Sequence, residues 1–370
     1  MIQSIEIENF KSICKQRVEL GNLNILIGPN GAGKSNFISF FRFLKHFGER
    51  SLENYIYENG GINTFLFKGF GVSKSLAVEI NFTEHGSGHQ FPVTSGFGIA
   101  SDGEGYYIEY ESYGPQGQLV NKLHPIVPAR ESFSGPHNIG VTEVISNNGK
   151  ANFMDAIRLY HFHDTSDNAQ IKLPQDIEDV YHFKAEGENL APFLLLLKEQ
   201  HFETYLKIVE TVRLVYPFFH DFVLEESPRA KGKVVLRWKE KGNGITYTAR
   251  QISDGTLRFI CLATLLIQPE GTSYVPHTVI LDEPELGLHP FAIHVLAELI
   301  QKAILEKQLI VATQSIGLIN YFTPKDLLIT ERTPEGATEF RRLKDEDFSA
   351  WLEDYSLGQL WESNVLGGRP

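Results

Sequence analysis

The sequence predicts an α/β fold, a mixed sheet layered with helices, on three observations. Near the N-terminus, Gly28-Pro29-Asn30-Gly31-Ala32-Gly33-Lys34-Ser35 lies between the apolar stretch Leu23-Asn24-Ile25-Leu26-Ile27 and a segment with Phe37, Phe40, Phe41 and Leu44 at helical spacing. In the last third, Thr278-Val279-Ile280-Leu281-Asp282-Glu283 reads as a buried strand ending in two carboxylates. Between them, residues 75–150 alternate as antiparallel strands do, with glycine-rich turns.

In chain order, Ile2, Ile5 and Ile7 alternate with polar neighbours and suit an edge strand, with Val18 to Leu20 as a short partner. The glycine loop and its helix follow, to about Gly48, and the glycine- and phenylalanine-rich residues 59–70 read as loop. Leu76 to Phe82 and Tyr106 to Tyr110 read as strands. A mixed region holds the short apolar run Phe193 to Leu197 and a helix over Phe202 to Val215. Lys233 to Trp238 and Ile245 to Ala249 flank Lys241-Gly242-Asn243-Gly244, a hairpin signal. Strands at Thr278–Leu281 and Leu309–Ala312 return the text to α/β. No long heptad array, internal repeat or low-complexity tract is present. The chain is expected to divide into the N-terminal part of one nucleotide-binding head with β additions (1–160), an inserted mixed α/β region (161–250), and the C-terminal part of the head (251–370).

Composition narrows the function classes. The 370 residues are 42% hydrophobic, enough for a full core, and 22% charged. Asp plus Glu number 46 against 34 Lys plus Arg, a net charge of −12. That argues against a protein that coats nucleic acid through its whole surface, while leaving room for one local basic groove. Cys14 and Cys261 lie far apart and match no metal spacing, which fits a reducing compartment. Met1-Ile2-Gln3-Ser4-Ile5-Glu6 lacks the features of a signal peptide, and no apolar run reaches bilayer-spanning length. A soluble, cytoplasmic chain with no membrane partner is the expectation.

The glycine loop fits G-x-x-x-x-G-K-[ST] at every fixed position. Glycines let the backbone wrap until its N–H groups point at phosphate oxygens, and the helix N-terminus adds partial positive charge. Residues Gly28, Pro29, Asn30, Gly31, Ala32, Gly33, Lys34, Ser35 and Asn36 are therefore expected to bind a nucleoside triphosphate. Lys34 would reach the β- and γ-phosphates, and Ser35 would ligate Mg2+. On the acidic strand, Asp282 would hold the metal and Glu283 would polarise the attacking water. A third motif, Ile252-Ser253-Asp254-Gly255-Thr256, precedes the helical text Leu257 to Ala263. Ser253 suits a helix cap and Gly255 a close backbone approach, so Ser253, Asp254 and Gly255 form a second candidate phosphate device. Such a device is useful if it meets the γ-phosphate held by another subunit.

These motifs in this order resemble the ABC-type ATPases, and most closely their RecF/SMC-like branch, within it the compact ATPases related to RecF and the OLD proteins. The opening Ile5-Glu6-Ile7-Glu8-Asn9-Phe10-Lys11-Ser12, the variant signature Ser253-Asp254-Gly255-Thr256 and Asp282-Glu283-Pro284-Glu285-Leu286-Gly287-Leu288-His289-Pro290 carry the resemblance. So does the ending, Trp351 to Gly358 and Gly367-Gly368-Arg369-Pro370. The resemblance implies an ABC-type head that hydrolyses ATP. Two heads sandwich two ATPs, each touching one chain's phosphate loop and the other's signature, and hydrolysis releases the homodimer. Two departures stand out. Asp254 replaces the glycine common in transporters. Ala312-Thr313-Gln314-Ser315 places Gln314 where a switch histidine is usual. Gln314 can exchange hydrogen bonds but carries no proton charge, which implies γ-phosphate sensing with slow turnover. No glutamine stands out as the usual Q-loop residue. OLD-type relatives append a nuclease domain; here Asp345-Glu346-Asp347 lacks the preceding apolar strand and the distant glutamate of a metal-dependent nuclease, so no nuclease activity is expected.

Weaker signals remain. Arg229, Lys231, Lys233, Arg237, Lys239 and Lys241 gather at the predicted hairpin, as a solvated face that discourages edge pairing or, alternatively, as a DNA or RNA backbone contact. His161-Phe162-His163-Asp164 sets two imidazoles on one face without a third metal ligand. Phe348, Trp351, Leu352 and Tyr355 are expected to share one helical face packed on the chain's own core, with partner docking as the alternative. The expected function is an ATP-gated dimer that controls a separately encoded effector, a nuclease or toxin in phage defence. A RecF-like ATPase of DNA repair or DNA clamping is the alternative. A transporter motor is disfavoured by the N-terminal strand pattern, Asp254 and the lack of an obvious Q-loop.

Overall fold

The computed structural model describes residues 1–49, 51–86, 89–101, 106–115, 157–228 and 230–369. The chain forms two compact units, Met1–Arg158 with Thr323–Pro370, and Leu159–Phe322.

The first unit holds a five-stranded antiparallel sheet in the order Ile13–Glu19, Ile2–Phe10, Ser75–Gly86, His89–Ser101, Tyr106–Pro115. The expected edge strand Ile2–Phe10 is thus interior, paired on both sides. Its alternation misleads because Glu6 and Glu8 are matched across the ladder by Arg17 and Lys15, while Ile5, Ile7 and Phe10 are wholly buried. The true edge, Ile13–Glu19, carries the charges that discourage edge pairing. The tract after Phe82, read as glycine turns, contains the strand His89–Ser101. Gly96 and Gly98 lie inside that strand, with a bulge between Gly98 and Ile99.

The same unit carries a mixed ladder. Leu23–Ile27, buried at all five positions, runs parallel to Leu327–Arg332, which pairs antiparallel with Thr338–Arg342. The helix Lys34–Gly48 buries Phe37, Phe40, Phe43, Leu44 and Phe47. Phe10 meets Phe40 and Phe43 edge-on at 5.5 Å, and Phe65, from the predicted loop, meets Phe43 at 5.3 Å. Each fully buried phenylalanine contributes about 1.5–3 kcal/mol, so this cluster fixes the helix that leads out of the phosphate loop.

At the C-terminal end of this unit the expected aromatic face is corrected. The helix Asp345–Phe348 stops after one turn, Trp351–Glu353 is a separate 3-10 turn, and only Phe348 is buried. Trp351, Leu352 and Tyr355 are 47%, 36% and 48% exposed. The aromatic that enters the core is Trp361, on the helix Leu357–Glu362, which Ser356 and Gln359 cap reciprocally.

In the second unit, Thr278–Asp282 and Gln308–Ala312 form a parallel pair in register from Thr278↔Gln308 to Asp282↔Ala312. The helices Leu190–Gln200, Phe202–Val215, Asp254–Leu266 and Pro290–Ala303 belong to the same unit. The predicted hairpin forms, with Trp238 opposite Tyr247 and Gly242 at φ 78. The single strand predicted before it is split. Ala230–Val234 pairs with Glu226–Ser227 and Gln175–Asp176, whereas Arg237–Glu240 pairs with Thr246–Thr248 and Phe219–Val223. Val234 and Leu236 are both buried, so the alternation continues through the break and hides it. The basic cluster divides accordingly between two small sheets, with Lys233 beside Asp176 at 3.3 Å and Arg237 beside Glu225 at 3.8 Å. Arg229 lies outside the described residues. Among the described residues, no helix is long and apolar enough to cross a membrane.

Candidate nucleotide site

The phosphate loop is shaped by contacts that its motif alone does not reveal. Gly28, Gly31 and Gly33 have φ of 154°, 79° and 119°. A Cβ on Gly28 would lie 2.1 Å from the Thr330 carbonyl oxygen, and one on Gly33 would lie 2.1 Å from Thr338 Oγ1. Space as well as φ therefore demands glycine at both positions. Thr338 Oγ1 donates to the Ala32 carbonyl at 2.8 Å and sits 2.7 Å from Ser12 Oγ. Arg332 Nε donates to the Gly31 carbonyl at 2.9 Å. Two loop carbonyls are thereby engaged by side chains of the flanking ladder. The C-terminal segment braces the loop from behind. Gly368 N–H donates to Glu331 Oε1 at 2.7 Å, the Trp361 indole N–H donates to the Gly368 carbonyl, and a Cβ on Gly368 would lie 3.4 Å from Gly28 Cα.

Lys34 is buried, and its ammonium is folded over the loop onto the Gly28 and Pro29 carbonyls at 2.5 and 3.2 Å. A phosphate oxygen is a stronger partner for that charge than either carbonyl. Ser35 is exposed at the helix N-terminus, whose first turn carries no acid. The Asn36 side chain is anchored to the neighbouring segment, its Nδ2 donating to Ser12 Oγ at 2.6 Å.

The second unit assembles the acidic motif. Glu283 adopts φ 45°, a left-handed conformation uncommon outside glycine, and its N–H donates to the Ala312 carbonyl at 2.8 Å. The Gln314 amide donates to Glu283 Oε1 at 2.5 Å. Two candidate residues far apart in sequence therefore meet directly at the ends of the parallel strands. Asp282 precedes them, and its carbonyl lies 3.0 Å from His163 Nε2. The His161 and His163 rings are 6.1 Å apart, and among the described residues no group of three ligands suits a metal.

Glu285 was not singled out by the sequence for any role. Its Oε1 accepts from Thr313 Oγ1 at 2.5 Å, and its Oε2 is buried without a hydrogen-bond partner among the described residues. Burial pushes the carboxyl pKa up, the Thr313 and backbone hydrogen bonds pull it back, and the Glu283 charge pushes it up again. A carboxyl raised on folding favours the native state at low pH and loses that contribution as pH rises through the raised value. Glu285→Gln is therefore expected to raise Tm above wild type at pH 8, with the gap closing below the ordinary value of 4.5. Thermal melts across that range check it, and a gap that widens on acidification contradicts it.

The signature helix begins as its motif implies. Ser253 caps it, accepting from the Thr256 N–H at 3.2 Å. Gly255 makes its close approach within the chain, since a Cβ there would lie 2.4 Å from the Gly287 carbonyl oxygen. Asp254 lies 3.7 Å from Lys172 Nζ, whose side chain is 4% exposed. Arg258, an unremarked charge in the sequence, joins three segments. Its guanidinium donates to the carbonyls of Phe162, His163 and Leu286 at 3.1, 3.0 and 3.0 Å. Arg258→Ala is expected to lower unfolding stability by about 1.5–3 kcal/mol, with Arg258→Lys failing to restore it because an ammonium lacks the planar fork. Urea unfolding measures both, and an unchanged midpoint for Arg258→Ala rules the clamp out.

A family described as "AAA domain, putative AbiEii toxin, Type IV TA system" matches residues 23–320, a span that runs from the phosphate-loop strand past Gln314. The chain belongs to this AAA-domain family. Among curated proteins it is similar to the chromosome partition protein Smc of Desulfitobacterium hafniense, 32% identical over 115 residues, which is 29% of this chain and 9% of that protein's length. Among solved structures, this AAA-domain protein resembles an Smc head bound to the C-terminal winged-helix domain of ScpA, with TM-score 0.59 and 17% identity over 94% of this chain and 99% of the other. The Pyrococcus furiosus Smc head with an extended coiled coil, bound to the C-terminal domain of ScpA, gives 0.59 and 17% over 95% and 98%. The Thermotoga maritima SMC head domain gives 0.50 and 15% over 93% and 99%. The fold is that of an SMC-like phosphate-loop ATPase head.

Proposed function

We propose that this chain is an ATPase that binds ATP with Mg2+, closes as a head-to-head homodimer around it, and gates a separately encoded effector, a nuclease or toxin of antiphage defence. The observation that carries the ATPase reading is the Gln314 amide on Glu283 at the end of the acidic strand. The residues fit the nucleotide. Glycines stand where a Cβ would crowd the phosphate loop, and Lys34 is a buried cation whose ammonium reaches the Gly28 and Pro29 carbonyls of that loop. Residues Gly28 to Asn36 would cradle the phosphates, with Ser35 and Asp282 as the Mg2+ ligands. Bound there, Mg2+ would neutralise phosphate charge. Glu283 acts as general base on the attacking water, and Gln314 holds its carboxylate in place while offering a hydrogen bond to the γ-phosphate. Ser253, Asp254 and Gly255 of a second copy would meet the same γ-phosphate. Lys172 beside Asp254 offsets a charge that would otherwise repel it.

The gating half of the proposal draws on two supports. Two similar heads were solved bound to a separate protein, ScpA, and the family description, in which the AAA-domain family itself is the putative toxin, associates the chain with a type IV toxin–antitoxin system. The tagged chain, isolated from its own host, is expected to bring down a second polypeptide at fixed stoichiometry, and recovery of the chain alone counts against gating. A DNA-clamping or DNA-repair ATPase is the second reading, favoured by the similarity to the chromosome partition protein Smc. It requires ATP-dependent DNA binding with a steep salt dependence, and no binding at low salt removes it.

A further inference from the structure

Glu283 is held at two points, and both belong to the same turn. Its N–H donates to the Ala312 carbonyl, and its Oε1 accepts from the Gln314 amide. That turn is fixed by a buried relay that starts at Glu285. Glu285 is half-buried as a residue, but its carboxyl end faces inward. Oε1 accepts from Thr313 Oγ1 at 2.5 Å, and the Gln314 N–H approaches it at 3.4 Å. Thr313 is wholly buried, and its Oγ1 also accepts from the Ser315 N–H at 2.9 Å. Ser315 Oγ in turn caps the short helix Ile316–Ile319 by accepting from the Leu318 N–H at 3.1 Å. The backbone on either side of Gln314 is therefore pinned, directly or through Thr313, to one carboxyl group on the far side of Pro284.

We propose that Glu285 is a positioning residue: through Thr313 it sets the 312–315 turn that aims the Gln314 amide at Glu283, and so governs the rate of ATP turnover rather than ATP affinity. This rests on the assignment of Glu283 and Gln314 to hydrolysis. The geometry places Glu285 behind the reacting groups. Its hydrogen bonds go to the turn, and the turn reaches the Glu283 carboxylate through the Gln314 amide. A glutamine at this position keeps an acceptor oxygen for Thr313 and Gln314, whereas an alanine leaves the Thr313 hydroxyl buried without its acceptor.

The test uses the full chain with Glu285→Ala, Glu285→Gln, Gln314→Ala and the Glu285→Ala/Gln314→Ala pair. Two readouts are taken: ATP kcat and KM, and amide hydrogen exchange over residues 308–319 without nucleotide. Glu285→Ala is expected to lower kcat roughly 10-fold to 100-fold with KM nearly unchanged, the size of effect that a small misplacement produces. Glu285→Gln is expected to restore most of the rate. In the Gln314→Ala background Glu285→Ala is expected to add little, because both act through one contact. Exchange at Gln314 and Ser315 should rise in Glu285→Ala but not in Glu285→Gln. Equal losses in both backgrounds overturn the proposal. A Glu285→Gln as damaging as Glu285→Ala, or unchanged exchange in Glu285→Ala, does the same. Should wild type hydrolyse ATP no faster than Lys34→Ala, the ATPase assignment falls. The exchange comparison still decides whether Glu285 sets the turn.

Discussion

Glu283→Gln is expected to lower ATP turnover by about 100-fold to 10,000-fold while ATP binding survives, the range over which a general base contributes. The substitution keeps the side-chain length, the left-handed backbone held to the Ala312 carbonyl, and an acceptor oxygen for the Gln314 amide. What it removes is the carboxylate proposed to take a proton from water. A variant that binds ATP without consuming it accumulates the ATP-bound state, and if that state is a closed dimer, the dimer accumulates too. ATP can drive such a shift only as far as it prefers the closed form. Single-turnover and equilibrium-binding measurements on the same preparation separate the two effects. Turnover at the wild-type rate removes Glu283 from the role of base.

Lys34→Ala is expected to abolish both binding and turnover. The ammonium is buried and already reaches the Gly28 and Pro29 carbonyls, inside the loop proposed to close on phosphate. Its loss removes a charge-assisted contact and leaves those carbonyls without their donor. A fall in ATP affinity of at least about 100-fold corresponds to roughly 2.7 kcal/mol, the scale of one good charge-assisted hydrogen bond. Titration with a fluorescent ATP analogue measures it. Wild-type affinity in Lys34→Ala would mean that nucleotide binds elsewhere. The contrast between the variants carries the weight: one loses chemistry and keeps ligand, the other loses both.

The parts of this molecule that were legible in the sequence are those set by local rules. The strand–loop–helix around Lys34, the cap at Ser253 and the acidic strand all follow from short-range spacing. Gly255 was legible as a close-approach glycine, although its neighbour, the Gly287 carbonyl, was not. What the sequence hid is mostly long-range. Nothing near Thr338 says that its hydroxyl will hold the Ala32 carbonyl, because hundreds of residues separate them. Arg258 and Glu285 read as ordinary charges because their partners are backbone carbonyls and a threonine hydroxyl, which have no pattern of their own. Local alternation also misled. It continues unbroken across the sheet change between Val234 and Arg237, and it gave Ile2–Phe10 the look of an edge although both sides are paired. Helical spacing at Phe348, Trp351, Leu352 and Tyr355 failed for a related reason, since the periodicity spans a break between two short turns.

The most direct test of the account is the mass of the Glu283→Gln chain under native conditions, with and without ATP and Mg2+. A monomer is expected without nucleotide and a dimer carrying two ATP molecules with it, and Lys34→Ala is expected to be monomeric in both. A Glu283→Gln chain whose mass shifts only by bound nucleotide, or a dimer that forms equally without ATP, would contradict ATP-driven closure.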